Sequence, residues 1–452
     1  MPRMGAPPKT GITGREAAPF GWSPLVILFF VGLVDRIETY IASGALPFLQ
    51  AEWGFSDTAG GMIMTAPLLI GALALVPAGY LSDRGNRTGI IAVVVAVWSV
   101  IMLGSALAPV FLFFFFTRVL LGAADTIDNP ASGSLLADYY PPQTRAKAYG
   151  WVRLTNFAGV ALGSLLGAVI AELFGWRWAF ACMVIPGLIV AWLCWRMREP
   201  LRGFLDQVIA RESSRPVTEA ELAEQDRTSS RAGYTFLQQF RYIWRIPTLR
   251  LVSIGLALLT LGLTGIFWWI PSLAVRVFGI TESQGGLINA VVILVGVVSG
   301  AIFGSYLGTR WHWTRTAGRL LAGGLGILLG SALLIPTLAM TTAPTFVVML
   351  TASCFLMAIA IPNLYASIAD VINAGSRGTG FAVLNFFIIG GSAAGPALIG
   401  VISDVSGGSL ITGMYSLVPL MALGGVLVLV ARRHFRGDAD SVLMTARHSA
   451  EV

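Results

Sequence analysis

Charge is scarce in this chain. Only 12% of its 452 residues are Asp, Glu, Lys or Arg, where a soluble domain carries about 25%. A soluble globular protein is therefore excluded. Cysteine is scarce as well: Cys182, Cys194 and Cys354 all lie in apolar segments, with neither a disulfide framework nor zinc spacing. There is no Walker A loop, zincin helix, G-x-S-x-G elbow or cofactor fingerprint, so no enzyme class is indicated and no cofactor is expected. Residues 1–21 lack the apolar core and small-residue cleavage site of a signal peptide and read as a cytoplasmic tail.

What is abundant is apolar sequence. Hydrophobic residues make up 56% of the chain and the mean hydropathy is +0.76. Runs of about 20 apolar residues, enough to span a bilayer, recur along its length. Breaks at Gly, Pro and charged residues predict twelve spans between residues 23 and 431. The fold class expected is an all-α membrane protein of twelve transmembrane helices in two pseudo-symmetric six-helix bundles. The domains expected are a tail at 1–21, bundles at 22–197 and 247–432, a polar cytoplasmic linker at 198–246, and a cytoplasmic tail at 433–452.

Basic residues should collect on the cytoplasmic side. They do so in the tail, in alternate loops, in the linker and beyond residue 431, while the opposite face has only Arg177 and Arg276. Both termini are therefore expected on the cytoplasmic side of the cell membrane. The same bias accounts for the net charge of +7, and nucleic acid is discarded as a partner. The chain is expected to work as a monomer among membrane lipids.

The two halves repeat. Gly79-Tyr80-Leu81-Ser82-Asp83-Arg84 matches Gly304-Ser305-Tyr306-Leu307-Gly308-Thr309-Arg310, and Pro130…Asp138…Arg145 matches Pro362…Asp370…Arg377. Asn156 falls near Asn385. Parallel six-span repeats are the layout of transporters that rock two bundles about a midplane site.

Against this background the intramembrane charges stand out. Asp35, Arg36 and Glu38 interrupt an apolar first span, where an ion costs about 2.5–3.5 kcal/mol on insertion scales. Asp35 and Glu38 are three apart and share a helix face. Arg36 lies about 100° away from Asp35. Span 4 offers Arg118, Asp125 and Asp128 on one stripe, and span 5 adds Arg153 and Asn156. All seven charges fall in the N-terminal half. A set of structural pairs holding the bundle together would use the same residues. The functional reading is proton coupling by Asp35, Arg36, Asp125, Glu38 and Asp128, with an Arg that swaps partners loading and releasing a proton. Substrate contacts are expected from Arg36, Arg118, Arg153, Asn156, Asn289, Asn363, Asn385, Phe267, Trp268 and Trp269. The last three fit either an interfacial aromatic belt or an apolar cavity wall. The run Phe113–Phe116 is expected to face lipid.

Gly79, Asp83, Arg84 and Arg87 sit in the loop between spans 2 and 3 and are expected to form a cytoplasmic gate. This loop resembles the G-x-x-x-D-R-x-x-R signature of the major facilitator superfamily. With Asp35-Arg36 in span 1 and Asp125 in span 4, the chain is similar to the Spinster-like branch, and spans 7 and 11 (265–271 and 395–404) are similar too. That resemblance implies proton-linked transport of a lysophospholipid or sphingoid-type lipid, with the span-1 Asp and Arg and the span-4 acid as the coupling cluster. Three residues depart from the branch pattern: Asp125 replaces a Glu, Asp128 is an extra acid and Arg153 an extra base. The anion:cation symporter branch has similar residues in spans 1 and 4 and would imply a small organic anion or drug. A non-transporting receptor on the same fold is a third reading.

Overall fold

A computed structural model describes residues 17–84, 86–200, 241, 243–314, 317–372 and 377–451, with side chains at 75–84, 125–130, 142–143, 146, 312–314, 377–379 and 443–451 excepted. The chain is helical along nearly all of this length. α1 (Ser23–Trp53), α2 (Asp57–Arg84), α3 (Arg87–Ala106), α4 (Phe111–Tyr139) and α5 (Pro142–Phe174) follow one another through short turns. The sixth span is broken into α6 (Trp176–Ala181) and α7 (Val184–Arg196).

Then come α8 (Pro247–Phe278) and an eighth span built from α9 (Glu282–Val291), a π-helical stretch (Val292–Val297) and α10 (Val298–Thr314). α11 (Gly318–Leu338) precedes a tenth span made of α12 (Ala343–Ala358) and α13 (Ala360–Asp370). α14 (Arg377–Val405) and α15 (Leu410–Glu451) complete the chain. α15 is 42 residues long, so the segment expected as a tail after residue 432 continues the last span as helix.

The described residues include ten helices long and apolar enough to cross a membrane. α1 is long enough but is not among them, because Asp35, Arg36 and Glu38 sit at its middle. Glycine, rather than large apolar side chains, sets the closest helix approaches, as expected where lipid supplies no hydrophobic drive between helices.

The contacts divide the chain into two compact units. The first is Met1–Ser214 with Trp268–Ala290; the second is Arg215–Phe267 with Val291–Val452. The central linker, apart from its two ends, lies outside the described residues.

In the first unit, α5 presents Gly159, Gly163 and Gly167 at spacings of four residues to α1. A Cβ on Gly163 would stand 2.7 Å from the Ile37 carbonyl oxygen and 3.1 Å from Tyr40 Cβ, and one on Gly159 would collide with Arg36 Cβ. In the second unit, Gly391 and Gly395 of α14 meet the backbone of α8 at Ala257 and Leu261. The run Phe113–Phe116 does not all face outward. Phe113 and Phe116 are exposed, but Phe114 is fully buried, packed on Trp53, Trp176 and Phe180. Successive helical residues turn by about 100°, so four in a row cannot share one face.

Candidate functional site

α1 carries the charges, and its two faces treat them differently. Asp35 and Glu38 are buried, 4% and 1% exposed, while the Arg36 side chain keeps 28% of its surface. Arg36 Nε lies 3.2 Å from Asp35 Oδ2. Thr39, on the same accessible stripe as Arg36, donates to the Asp35 carbonyl at 3.0 Å. The glycine seam with α5 holds this stretch in place, since Gly159 allows the Arg36 Cβ to press against the α5 backbone.

Glu38 points away from that stripe, toward α3 and α7, where a Cβ on Gly187 would reach both Ser99 Oγ and Glu38 Oε1. Neither Glu38 carboxylate oxygen has a hydrogen-bond partner among the described residues. Among the described residues, Asp35 and Arg118 are the charged groups that act on it. Burial of a charged group without hydrogen bonds is costly, which sets Glu38 apart from the paired acids of this unit.

Arg118 is buried inside the first unit rather than on its surface, at 3% exposure. Its guanidinium lies 5.3 Å from the Phe114 ring centroid and 5.0 Å from that of Phe180. Nη2 donates to Ser105 Oγ and to Met102 Sδ, the latter at 3.2 Å. Cation–π contact is worth most where water is excluded, so these neighbours hold Arg118 as an internal cation. Arg153 and Asn156 are exposed on α5. The side chains of Asp125 and Asp128 lie outside the described residues, although the helix carrying them is described.

Of the expected gate, the side chains of Gly79, Asp83 and Arg84 lie outside the described residues. Arg87 is fully buried. Its Nη1 donates to Ser134 Oγ at 2.7 Å and Asp138 Oδ2 at 2.5 Å, its Nε to Glu199 Oε1 at 3.0 Å, and its Nη2 to the Pro200 carbonyl at 3.1 Å. Its backbone N–H also donates to Glu199 at 3.1 Å. Arg87 thereby ties the start of α3 to the end of α4 and to the segment after α7.

Comparison with known proteins decides the family. The family model described as Major Facilitator Superfamily matches residues 28–349. The chain belongs to the Major Facilitator Superfamily. It is similar to protein spinster homolog 1 of Xenopus tropicalis, 24% identical over 420 residues, covering 87% of this chain and 74% of that protein. It is also similar to a gallate transporter of Pseudomonas putida, 26% identical over 448 residues and 95% of each chain. Among solved structures, a bacterial homolog of the human lysosomal transporter Spinster, inward-facing and unoccupied, aligns with a TM-score of 0.74 at 21% identity, covering 93% of this chain and 97% of that one. The protein is accordingly a membrane transporter of this superfamily and not an enzyme.

Within this superfamily fold the remaining expected residues are placed as follows. Trp268 and Trp269 are fully buried in the first unit, so neither forms an exposed belt. Trp268 Nε1 donates to the Gly60 carbonyl at 3.2 Å, and its own carbonyl accepts from Ser43 Oγ at 2.6 Å. Asn289 is fully buried in the same unit. Phe267 belongs to the second unit and is 9% exposed. Asn363 is buried in the second unit, and its Nδ2 donates to the Gly304 and Ile359 carbonyls at 2.8 and 2.7 Å. Both of its amide hydrogens are thus engaged, and the residue ties α10 to the α12–α13 span. Asn385 is exposed on α14.

Three features go beyond the sequence-based expectations. The glycine spacing at 159, 163 and 167 is visible in the chain as a small-residue repeat. Asp138 and Glu199 as partners of Arg87 have no local signal, because the three residues meet only in the fold. The two arginines expected on the outer face are both paired. Arg177 binds Glu52 at 2.7 Å, and Arg276 binds Asp57 at 2.6 Å and Gln50 at 2.8 Å. Glu52 and Asp57 flank the α1–α2 turn. The Arg177 guanidinium holds the Glu52 carboxyl below its usual range, and Trp176 Nε1 adds a second hydrogen bond to it.

Proposed function

We propose that this transporter moves an amphipathic lipid with a charged head group, a lysophospholipid or sphingoid-type molecule, by proton-coupled alternating access. The observation that carries this reading is the Arg36–Asp35 pair. Arg36 lies on the accessible stripe of α1 and Asp35 is buried behind it at 3.2 Å. A cation that can exchange one carboxylate for another, next to an acid shielded from water, is the minimum needed to link proton binding to substrate binding. Asp35 takes the proton. Arg36 holds either Asp35 or the substrate's negative group.

Arg153 and Asn156 extend the polar stripe along α5. Asp125 is the span-4 acid of the coupling cluster, with Glu38 and Asp128 as further proton sites. Gly79, Asp83, Arg84 and Arg87 form the cytoplasmic gate. The protein works as a monomer in the cell membrane with both termini in the cytoplasm. Similarity to spinster proteins over most of the chain supports the lipid reading.

A second reading is favoured by one observation. The similarity to a gallate transporter runs over 95% of both chains, and the same arginines would bind the carboxylate of a small organic anion. Purified protein in liposomes separates the two. Flux of labelled lysophospholipid without flux of gallate supports the lipid reading, and the reverse replaces it by the anion reading. Flux of neither would leave both without support and favour a non-transporting receptor.

A further inference from the structure

The basic end of the second unit, where the start of α8 meets the extension of α15, has features that the transport reading does not use. The backbone N–H of Thr248, in the first turn of α8, donates to Asp438 Oδ2 at 3.0 Å. This bond brings together two segments rich in arginine. Residues 241–250 contain Arg241, Arg245 and Arg250 and no acid, while residues 432–440 contain Arg432, Arg433 and Arg436 against Asp438 and Asp440. Asp438 is engaged by Thr248, and Asp440 stands 4.0 Å from Arg436.

The segment before α8 is anchored rather than loose. Ile243 is 1% exposed, and the Trp244 ring stacks on Phe387 at 4.7 Å with the planes 9° apart. Arg241, Arg245, Arg250, Arg433 and Arg436 are all exposed.

A general excess of basic residues on one membrane side accounts for the number of arginines, but not for two arginine-rich segments being joined at one corner by the Thr248–Asp438 bond, whose ends are 190 positions apart. One further observation points to a lipid. The exposed apolar residues Leu423 and Val426 lie on α15. Arg433 follows Val426 by seven residues and so continues its stripe. An apolar stripe that runs into arginines matches a lipid, with the acyl chain on the first part and a phosphate on the second.

We propose that this corner of the second unit binds the head group of an anionic phospholipid of the adjacent leaflet. The phosphodiester accepts hydrogen bonds from Arg432, Arg433 and Arg436, and the arginines that precede α8 add to the positive field. The site is separate from the substrate stripe of α1 and α5 and does not depend on what is transported.

The test is binding of fluorescent phosphatidylglycerol or phosphatidylcholine to the full-length protein in a non-ionic detergent, with inorganic phosphate as competitor. Wild type is expected to prefer phosphatidylglycerol. R432Q/R433Q/R436Q is expected to lose about 100-fold in affinity for it, and the exposed single variant R436Q about fivefold. Affinity should fall as salt rises, and R310Q, which alters an exposed arginine outside the site, should bind like wild type. R436Q guards against a triple variant that fails to fold. Equal binding of the two lipids by wild type, unchanged binding by R436Q, an equal loss in R310Q, or full displacement by inorganic phosphate would each overturn the proposal.

Discussion

Arg87 and Asp138, 51 positions apart in the sequence, form a buried ion pair in the first unit, and Arg319 and Asp370, also 51 positions apart, form the corresponding pair in the second. In both units the arginine begins an odd-numbered span and the aspartate closes the next one. The pairs differ in burial. The Arg87 side chain keeps 1% of its surface and Asp138 9%, while Arg319 and Asp370 keep 24% and 36%. Truncating one partner of a buried pair leaves an uncompensated charge and costs about 3–5 kcal/mol, whereas an exposed pair is worth about 0–1 kcal/mol. Arg87→Ala should therefore lower the thermal midpoint of the purified protein much more than Arg319→Ala. Equal shifts would mean that burial does not set the cost.

The glycine seam makes a second prediction. Gly163→Leu puts a side chain into the Ile37 backbone, 2.7 Å from its carbonyl oxygen, and overpacking of this kind costs about 1–3 kcal/mol. Gly133→Ala in α4 meets nothing within 4 Å and gains about 0.5–1 kcal/mol of helix propensity. A thermal melt of the two variants in detergent should shift in opposite directions. Gly163→Leu should also reduce transport, because it moves the stretch of α1 that carries Asp35 and Arg36.

Acid should release the Arg177–Glu52 clamp at the end of α1. The Glu52 carboxyl is held below its ordinary value of 4.5 by Arg177. A carboxylate whose folded-state value is depressed contributes stability above the unfolded value, and that contribution is lost as pH falls through the folded value. Glu52→Gln should therefore cost stability at pH 7 and converge with wild type as pH falls from 4.5 through the lowered folded value. Both partners are more than a third exposed, so the effect is at most about 1 kcal/mol. A difference that persists unchanged in acid would show that the loss comes from packing against Trp176 rather than from charge.

Arg118 should behave as an internal cation. Arg118→Lys keeps the charge but loses the planar stacking on Phe114 and Phe180, while Arg118→Met keeps the bulk and loses the charge near Glu38. If Arg118 holds the bundle, both variants should melt earlier without a change in substrate affinity. A rise in the substrate KM with an unchanged melting point would place Arg118 at the substrate instead.

Much of this architecture is legible in the amino-acid sequence. Long apolar runs and the asymmetry of the arginines mark the spans, and α1 is recognisable despite the three charges that lower its hydropathy. The angular separation of Arg36 from Asp35 follows from helix geometry alone. Which face is buried is not written in the sequence, so Glu38 and Arg118 group there with Arg36 in one cluster. The fold sends Glu38 toward α3 and α7, and places Arg118 among Met102, Ser105 and two Phe rings. Arg87 reads as a gate residue because its loop resembles the G-x-x-x-D-R-x-x-R signature. Its partners Asp138 and Glu199 are 51 and 112 residues away, a separation that no local pattern spans. The expectation that Phe113–Phe116 faces lipid fails at Phe114 for the opposite reason, since it takes a local pattern without its helical turn.

The central claim is that Asp35 couples a proton to the movement of substrate. It is tested most directly by flux of labelled lysophospholipid into liposomes holding purified protein, with and without a pH gradient, comparing wild type with Asp35→Asn. Wild-type flux should rise when the gradient is imposed. Asp35→Asn should retain binding and exchange but lose the response to the gradient. A variant that responds to the gradient as wild type does would contradict the account.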